Sequence, residues 1–186
     1  MTQYGGSMHK DIKTVLISEK EIEKRCQELG QELTEYYSKK GDIPLLVTLL
    51  KGAVPFLVQL SKNIELDIEL DFMDVSSYEG TESIGDVKII KDLDRSIKDT
   101  SILLVEDIVD TGRTLKSVKE LLFNKGAKDV KIVSLLDKPS RRVVDIKADY
   151  VGFEIENHFV VGYGLDFNEK FRNLPYVGVL KDECYL

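Results

Sequence analysis

Residues 102–122 constrain the fold more than any other stretch. Ile102, Leu103, Leu104 and Val105 form a wholly apolar run, followed at once by Glu106 and Asp107, then Ile108-Val109 and Asp110-Thr111-Gly112-Arg113-Thr114. Beyond these, Leu115, Val118, Leu121 and Leu122 recur at helical spacing. An apolar run of this kind reads as a buried strand, and the spacing after it as one face of a helix. The stretch is therefore strand, polar loop and helix start. The free N–H groups of such a turn bind phosphate, and acids beside them bind sugar hydroxyls or a metal.

The rest of the chain repeats this alternation. Ser18-Glu19-Lys20-Glu21 is a capping box, and Ile22, Cys26, Leu29, Leu33 and Tyr36 behind it form one face of a helix ending near Gly41. Leu45 to Leu50 is a second apolar run, suited to the middle of a parallel sheet. Lys51-Gly52 and a helical pattern through Phe56, Leu57 and Leu60 follow. Ile64 to Tyr78 alternates in part and predicts a half-exposed strand; with Val87 to Ile90 it makes a long hairpin whose tip is mobile, over about residues 77–90. Val130 to Leu136 is another buried strand, and three short ones are expected at Tyr150–Phe153, Phe159–Tyr163 and Tyr176–Leu180. Strands alternating with helices predict an α/β fold, a twisted and mainly parallel sheet flanked by helices. In such sheets ligands bind at the carboxyl ends of strands. Lys51-Gly52, Glu106 to Thr114, Asp137-Lys138 and Asp166 would then share one site.

Length and charge narrow the function. At 186 residues the chain is read as a flexible leader over residues 1–14 and a single domain over residues 15–186. Its net charge of −7 argues against a nucleic-acid surface. No apolar stretch approaches the roughly 20 residues of a bilayer span. Two cysteines, Cys26 and Cys184, are too few for a disulfide framework and fit a reducing cytoplasm. His9 and His158 have no partner at metal-ligand spacing and are expected to be exposed, as are Arg141 and Arg142.

Each motif also has a plain structural reading. Asp110 could simply cap the helix, Glu106-Asp107 could be a solvated strand end, and Lys138-Pro139 an ordinary turn. Phe159-Val160-Val161 could be core strand. A Walker pattern is absent, which argues against a P-loop enzyme, and Asp-Thr-Gly followed by a helix is the wrong context for an aspartic protease.

Val105 to Thr114 resembles the phosphoribosyl-diphosphate (PRPP) signature of type I phosphoribosyltransferases. Leu50-Lys51-Gly52 resembles the pyrophosphate loop of that family, and Ser77-Tyr78 the start of its mobile catalytic loop. Lys138-Pro139, Phe153-Glu154-Ile155, Phe159 to Asp166, Asn168-Glu169 and Phe171-Arg172 are similar to the hypoxanthine-guanine branch. The resemblance runs from about Val15 to Leu180.

The resemblance implies the type I fold with a small hood built from the terminal segments. It implies transfer of 5-phosphoribosyl from PRPP to N9 of hypoxanthine or guanine, giving IMP or GMP and pyrophosphate, with Mg2+. Glu106 and Asp107 would bind ribose hydroxyls, directly or through the metal, with Asp166 at a second metal. Asp110, Thr111, Gly112, Arg113 and Thr114 would hold the ribose phosphate, and Asp110 would handle the purine N7 proton. Lys51, Gly52 and Arg172 would hold pyrophosphate, with a non-proline cis peptide at Lys51–Gly52. Lys138 would donate to the purine O6, Phe159 would stack on the base and Val160 would contact its edge, with Asp166 completing the purine end. A homodimer or homotetramer is implied, with no membrane or nucleic-acid partner. Three positions depart from the family pattern: Arg113 for Lys, Phe167 for Tyr, and Gly164 for an Ala, which should loosen the base pocket. A transferase for xanthine, adenine or orotate and a non-enzymatic regulator on the same scaffold are the rival readings.

Overall fold

The computed structural model describes residues 8–77 and 87–185. In chain order the elements are β1 (Ile12–Ile17), α1 (Glu19–Lys40), β2 (Leu45–Leu49), α2 (Val54–Ser61), β3 (Glu69–Ser77), β4 (Val87–Lys91), β5 (Ser101–Val109), α3 (Arg113–Asn124), β6 (Asp129–Asp137), β7 (Tyr150–Glu154), β8 (Val160–Val161) and β9 (Val177–Leu180). A six-stranded sheet has the order β4-β3-β2-β5-β6-β7, and only the β3–β4 pair is antiparallel.

The apolar runs are continuous because both faces of this sheet are covered. Successive side chains of a strand point to opposite faces. Leu46, Leu103 and Val105 pack with Ile22, Cys26, Leu29 and Leu33 of α1 and Phe56, Leu57 and Leu60 of α2. Their neighbours Leu45, Val47, Ile102 and Leu104 pack with Leu115, Val118 and Leu122 of α3. Thr48, the one polar residue in these runs, is also buried, and its hydroxyl donates to the Val105 carbonyl at 2.6 Å. The capping box closes as expected: the Ser18 N–H donates to Glu21 Oε2 at 2.8 Å and the Glu21 N–H to Ser18 Oγ at 3.4 Å. Gly41 ends α1 in the left-handed region, φ 64°.

The hood is an antiparallel sheet in the order β1-β9-β8. Its own small core is Ile12, Val161, Tyr176 and Leu180. Two expected boundaries move. The leader drawn to residue 14 overlaps β1, because Ile12 is buried and pairs with Leu180; residues 1–7 lie outside the described ones. The strand expected from Ile64 starts at Glu69. Before it the chain turns, the Ile68 N–H donating to the Leu66 carbonyl, and Ile64, Leu66 and Ile68 pack into the α1–α2 layer instead. The alternation then changes phase. Leu70 is exposed and Asp71 is buried, where it accepts from the Asp94 N–H at 2.9 Å and faces Lys91 at 3.7 Å.

Candidate active site

Because β2, β5 and β6 run parallel, their carboxyl ends lie on one side of the sheet. The loop after β5 is tied down there: the Lys138 N–H donates to the Val109 carbonyl at 3.0 Å, and the Val143 N–H to the Thr111 carbonyl at 3.1 Å. Two cavities open at this edge. The smaller, about 120 Å3, is lined by Glu106, Asp110, Thr111, Gly112 and Thr114 with apolar residues around them. The larger, about 430 Å3, is lined by Asp110, Lys138, Arg141, Phe159, Val160 and Tyr185, among others. Ile108 and Asp110 belong to both.

The smaller cavity lies where the loop after β5 enters the amino terminus of α3. Gly112 precedes α3 at φ 83°, and no side chain caps the helix. Asp110 is therefore not a cap, and its carboxylate is left for other work. Gly112 is required twice over, by its left-handed backbone and because a Cβ would come within 2.6 Å of Ile146. Arg113 and Thr114 are exposed at the first turn, and the Arg113 N–H lies 3.5 Å from Thr111 Oγ1. Arg142 does not face solvent as expected. Its guanidinium pairs with Asp137 and donates to the carbonyl of Ile146 at 3.3 Å, so it braces this loop from behind.

Glu106 and Asp107 differ from a solvated strand end. Glu106 is buried, and its Oε1 has no hydrogen-bond partner. Burial, reinforced by Asp107, holds its carboxyl well above the usual carboxylate range. Asp107 accepts the Ile108 N–H at 2.7 Å, yet desolvation still pushes it up to about 6. Arg172 pulls it down and Asp166 pushes it up, which puts both near it. Among the described residues no three acids converge as a ligand set, so Glu106, Asp107 and Asp166 are not gathered around one point.

In the larger cavity Lys138, Asp110 and Arg141 are already partnered. Lys138 is buried and its ammonium donates to the His158 carbonyl at 2.7 Å. Burial draws its pKa down, while Asp110 opposes that shift. Asp110 Oδ1 accepts from Arg141 Nε at 3.1 Å. Phe159 is exposed, and Val160 is buried in β8, paired with Val179. Asp166 does not line this cavity; it accepts the Glu169 N–H at 2.8 Å and faces Arg172 at 2.9 Å.

Lys51 and Arg172 meet over Glu169, at 3.0 Å and 3.2 Å. Arg172 also donates to the Gly164 carbonyl at 2.8 Å, and its Nε is buried without a partner. The cis peptide lies at Leu50–Lys51, one residue earlier than expected. The chain leaves the sheet there, after the Leu50 N–H donates to Met73 of β3 at 2.9 Å. Gly164 does not loosen the base pocket. At φ 99° its α-carbon faces Gly52 so closely that a Cβ would stand 1.8 Å from the Gly52 carbonyl oxygen. Gly52 in turn leaves 1.9 Å between an added Cβ and Asp107 Oδ2. These two glycines let the Lys51-Gly52 loop, the acid pair and the loop before Asp166 touch.

Ser77 ends β3, and Tyr78 lies outside the described residues. Reasoning from sequence missed Ile108, Arg141, Asn157, His158, Leu165 and Tyr185 as cavity residues. Only Arg141, three residues after Lys138, carried a usable signal. His9 is half-buried rather than exposed, edge-on to Phe171 at 5.3 Å.

The phosphoribosyl transferase domain profile matches residues 16–168, the span that carries this site apart from Glu169, Arg172 and Tyr185. A hypoxanthine-guanine phosphoribosyltransferase of Lactococcus lactis is 57% identical over 96% of this chain and 97% of its own. The chain belongs to this family. The bifunctional protein TilS/HprT of Listeria monocytogenes is 56% identical over 96% of the chain, which spans only 28% of that relative's length. Among solved structures, a hypoxanthine phosphoribosyltransferase from Staphylococcus aureus superposes with a TM-score of 0.92 at 50% identity, covering 99% of this chain and 100% of that one. The phosphoribosyltransferase fold read from the sequence, a mainly parallel sheet with a small hood, is the one observed.

Proposed function

We propose that the chain transfers 5-phosphoribosyl from PRPP to N9 of hypoxanthine or guanine, giving IMP or GMP and pyrophosphate. One observation carries the reading: Asp110 stands in the wall shared by the cavity at the amino terminus of α3 and a cavity that holds a buried ammonium and an exposed aromatic ring. The bond to be made joins a base to a phosphorylated sugar, so the reacting carbon belongs at that wall.

In this reading Thr111 to Thr114 hold the 5′-phosphate, and Lys51, Gly52 and Arg172 the diphosphate. The C1′–O bond breaks with its electron pair leaving on pyrophosphate, positive charge develops on the ribose, and N9 closes the new bond. Glu106 and Asp107 accept the ribose hydroxyls and offset that charge. Asp110 takes the N7 proton through an oxygen that Arg141 does not occupy. An ammonium has three donors, so Lys138 can keep the His158 carbonyl and still donate to O6. Adenine would present an amino group there, a donor against a buried donor. Closure of the loop that begins at Ser77-Tyr78 would exclude water, which would otherwise hydrolyse PRPP.

Magnesium belongs to the same reading. The donor set fits it: buried Glu106 with an orphaned oxygen, Asp107 beside it, and Asp166 beyond, too dispersed for an all-protein cage. Magnesium favours one or two carboxylates completed by phosphate and water, and when bound it neutralises diphosphate charge. Assembly as a homodimer or homotetramer is also inferred, with Leu70 and Ile90 exposed on β3 and β4 at one edge of the sheet; light scattering tests it. A cytoplasmic setting suits two free cysteines, and among the described residues no helix is long and apolar enough to cross a membrane.

One assay tests the whole: magnesium, PRPP and each of hypoxanthine, guanine, xanthine and adenine, following pyrophosphate. Turnover is expected with the first two and to vanish in excess EDTA. Adenine as the preferred base would sink the reading, and xanthine turnover would widen it.

A further inference from the structure

Tyr185 follows the short 3-10 turn Asp182–Cys184 beyond β9, and nothing in the proposed reaction uses it. Its ring stacks on Phe159, centroids 4.7 Å apart and planes inclined by 19°. Phe167 meets Phe159 edge-on at 5.6 Å. Phe159 and Tyr185 both line the base cavity, and Phe159 is still 38% exposed. With a tyrosine on one face, that exposed area is what remains for a ligand.

The ring is held from several sides. The Tyr185 hydroxyl donates to Asp182 Oδ1 at 2.9 Å, and Asp182 faces Lys13 of β1 at 3.5 Å. The Tyr185 N–H donates to the Asp182 carbonyl at 3.2 Å, and the Lys181 N–H to the Asp11 carbonyl at 3.0 Å. The Leu180 N–H donates to the carbonyl of Phe159 itself at 2.9 Å. The turn that carries Tyr185 is thus tied both to β1 and to the backbone of the residue it covers.

We propose that Tyr185 is a positioning residue of the base site: its ring backs Phe159, and the pair forms one platform on which a planar heterocycle stacks. The proposal rests on the phosphoribosyl-transfer reading above. An aromatic ring at a cavity mouth has another side-chain orientation available whenever nothing opposes it. A stacked neighbour favours one orientation, and the base then meets a preset plane instead of ordering it on binding. Tyr185 touches no reacting atom; it acts through Phe159.

The test uses the full chain and three variants. Tyr185→Leu keeps apolar volume and removes the ring; Tyr185→Phe keeps the ring and removes the hydroxyl tether; Tyr185→Met replaces the leucine variant if that one does not fold. The KM for hypoxanthine and for guanine should rise about two- to tenfold in Tyr185→Leu, the range of one aromatic contact. The KM for PRPP should stay within about twofold, and Tyr185→Phe should return the base KM to the wild-type value. An unchanged base KM in the leucine or methionine variant overturns the proposal. So does a parallel rise in the KM for PRPP, which would mean a loosened hood. Absence of wild-type transfer to any 6-oxopurine would instead strike the functional reading.

Discussion

The two ends of the site treat their charged groups in opposite ways. At the end proposed for the base Lys138 and Asp110 are satisfied, by the His158 carbonyl and by Arg141. At the end proposed for the ribose Glu106 is buried with an orphaned oxygen, and both it and Asp107 are held above their ordinary range. The difference follows from position. Glu106 and Asp107 lie within β5, where the flanking backbone belongs to the sheet; Glu106 is buried and Asp107 partly so. Asp110 and Lys138 lie one step beyond, where turns bring carbonyls and a guanidinium within reach. Proteins tolerate buried acids at a cost in stability, and a site for a cationic or hydroxyl-bearing ligand is one place where that cost is offset on binding.

The largest test breaks the base end. Asp110→Asn keeps the volume and removes the proton acceptor; kcat should fall roughly 10²–10⁴-fold while PRPP binding changes little. Equal turnover would remove Asp110 from the chemistry and leave the Arg141 pair as mere surface structure. Next, Lys138→Gln should erode the preference for 6-oxopurines, lowering the guanine-to-adenine ratio of kcat/KM by about tenfold or more. If that ratio holds, the buried ammonium does not read the base.

The ribose end is tested through stability. Asp107 is raised from about 3.9 when unfolded to about 6 in the fold. A raised carboxyl contributes stability that is fully present below the unfolded value and is lost as pH rises through the folded one. The ligand-free protein should therefore melt several degrees lower at pH 7.5 than at pH 5, with at most about 3 kcal/mol lost through this group. Asp107→Asn should flatten that dependence, raise the melting point near neutral pH and weaken PRPP binding in isothermal titration. A melting point that falls in this variant would show that the acid is not a burden on the fold. The smallest effect is expected from Arg141→Gln, since a half-exposed ion pair is worth about 0–1 kcal/mol. A loss in kcat/KM beyond about fivefold would make Arg141 a direct contributor at the base end.

Much of this was legible in the chain. The apolar runs at Leu45 and Ile102 announced strands covered on both faces, the Ser18 box announced α1, and Glu106 to Thr114 announced the polar turn from β5 into α3. What escaped was contact between distant residues. Gly164 reads as a relaxed pocket residue until Gly52 appears against it, 112 positions away. Arg142 reads as surface until Asp137 and the Ile146 carbonyl close around it. Ile12 reads as leader until Leu180 pairs with it. Tyr185 follows a polar turn and has no local pattern at all.

By itself, then, the sequence determined what short-range physics controls: strand and helix periods, caps, the loop at the end of β5 and the inventory of acids, cations and rings. Only the tertiary structure decided which of these groups meet and in what electrostatic state. Glu106 and Asp110 are both carboxylates four residues apart in one motif. One is desolvated and unpartnered, the other holds Arg141, because burial and pairing depend on how β2, β6, the hood and the loops after them close around the strand. That closure joins residues more than a hundred positions apart, a distance no local pattern spans.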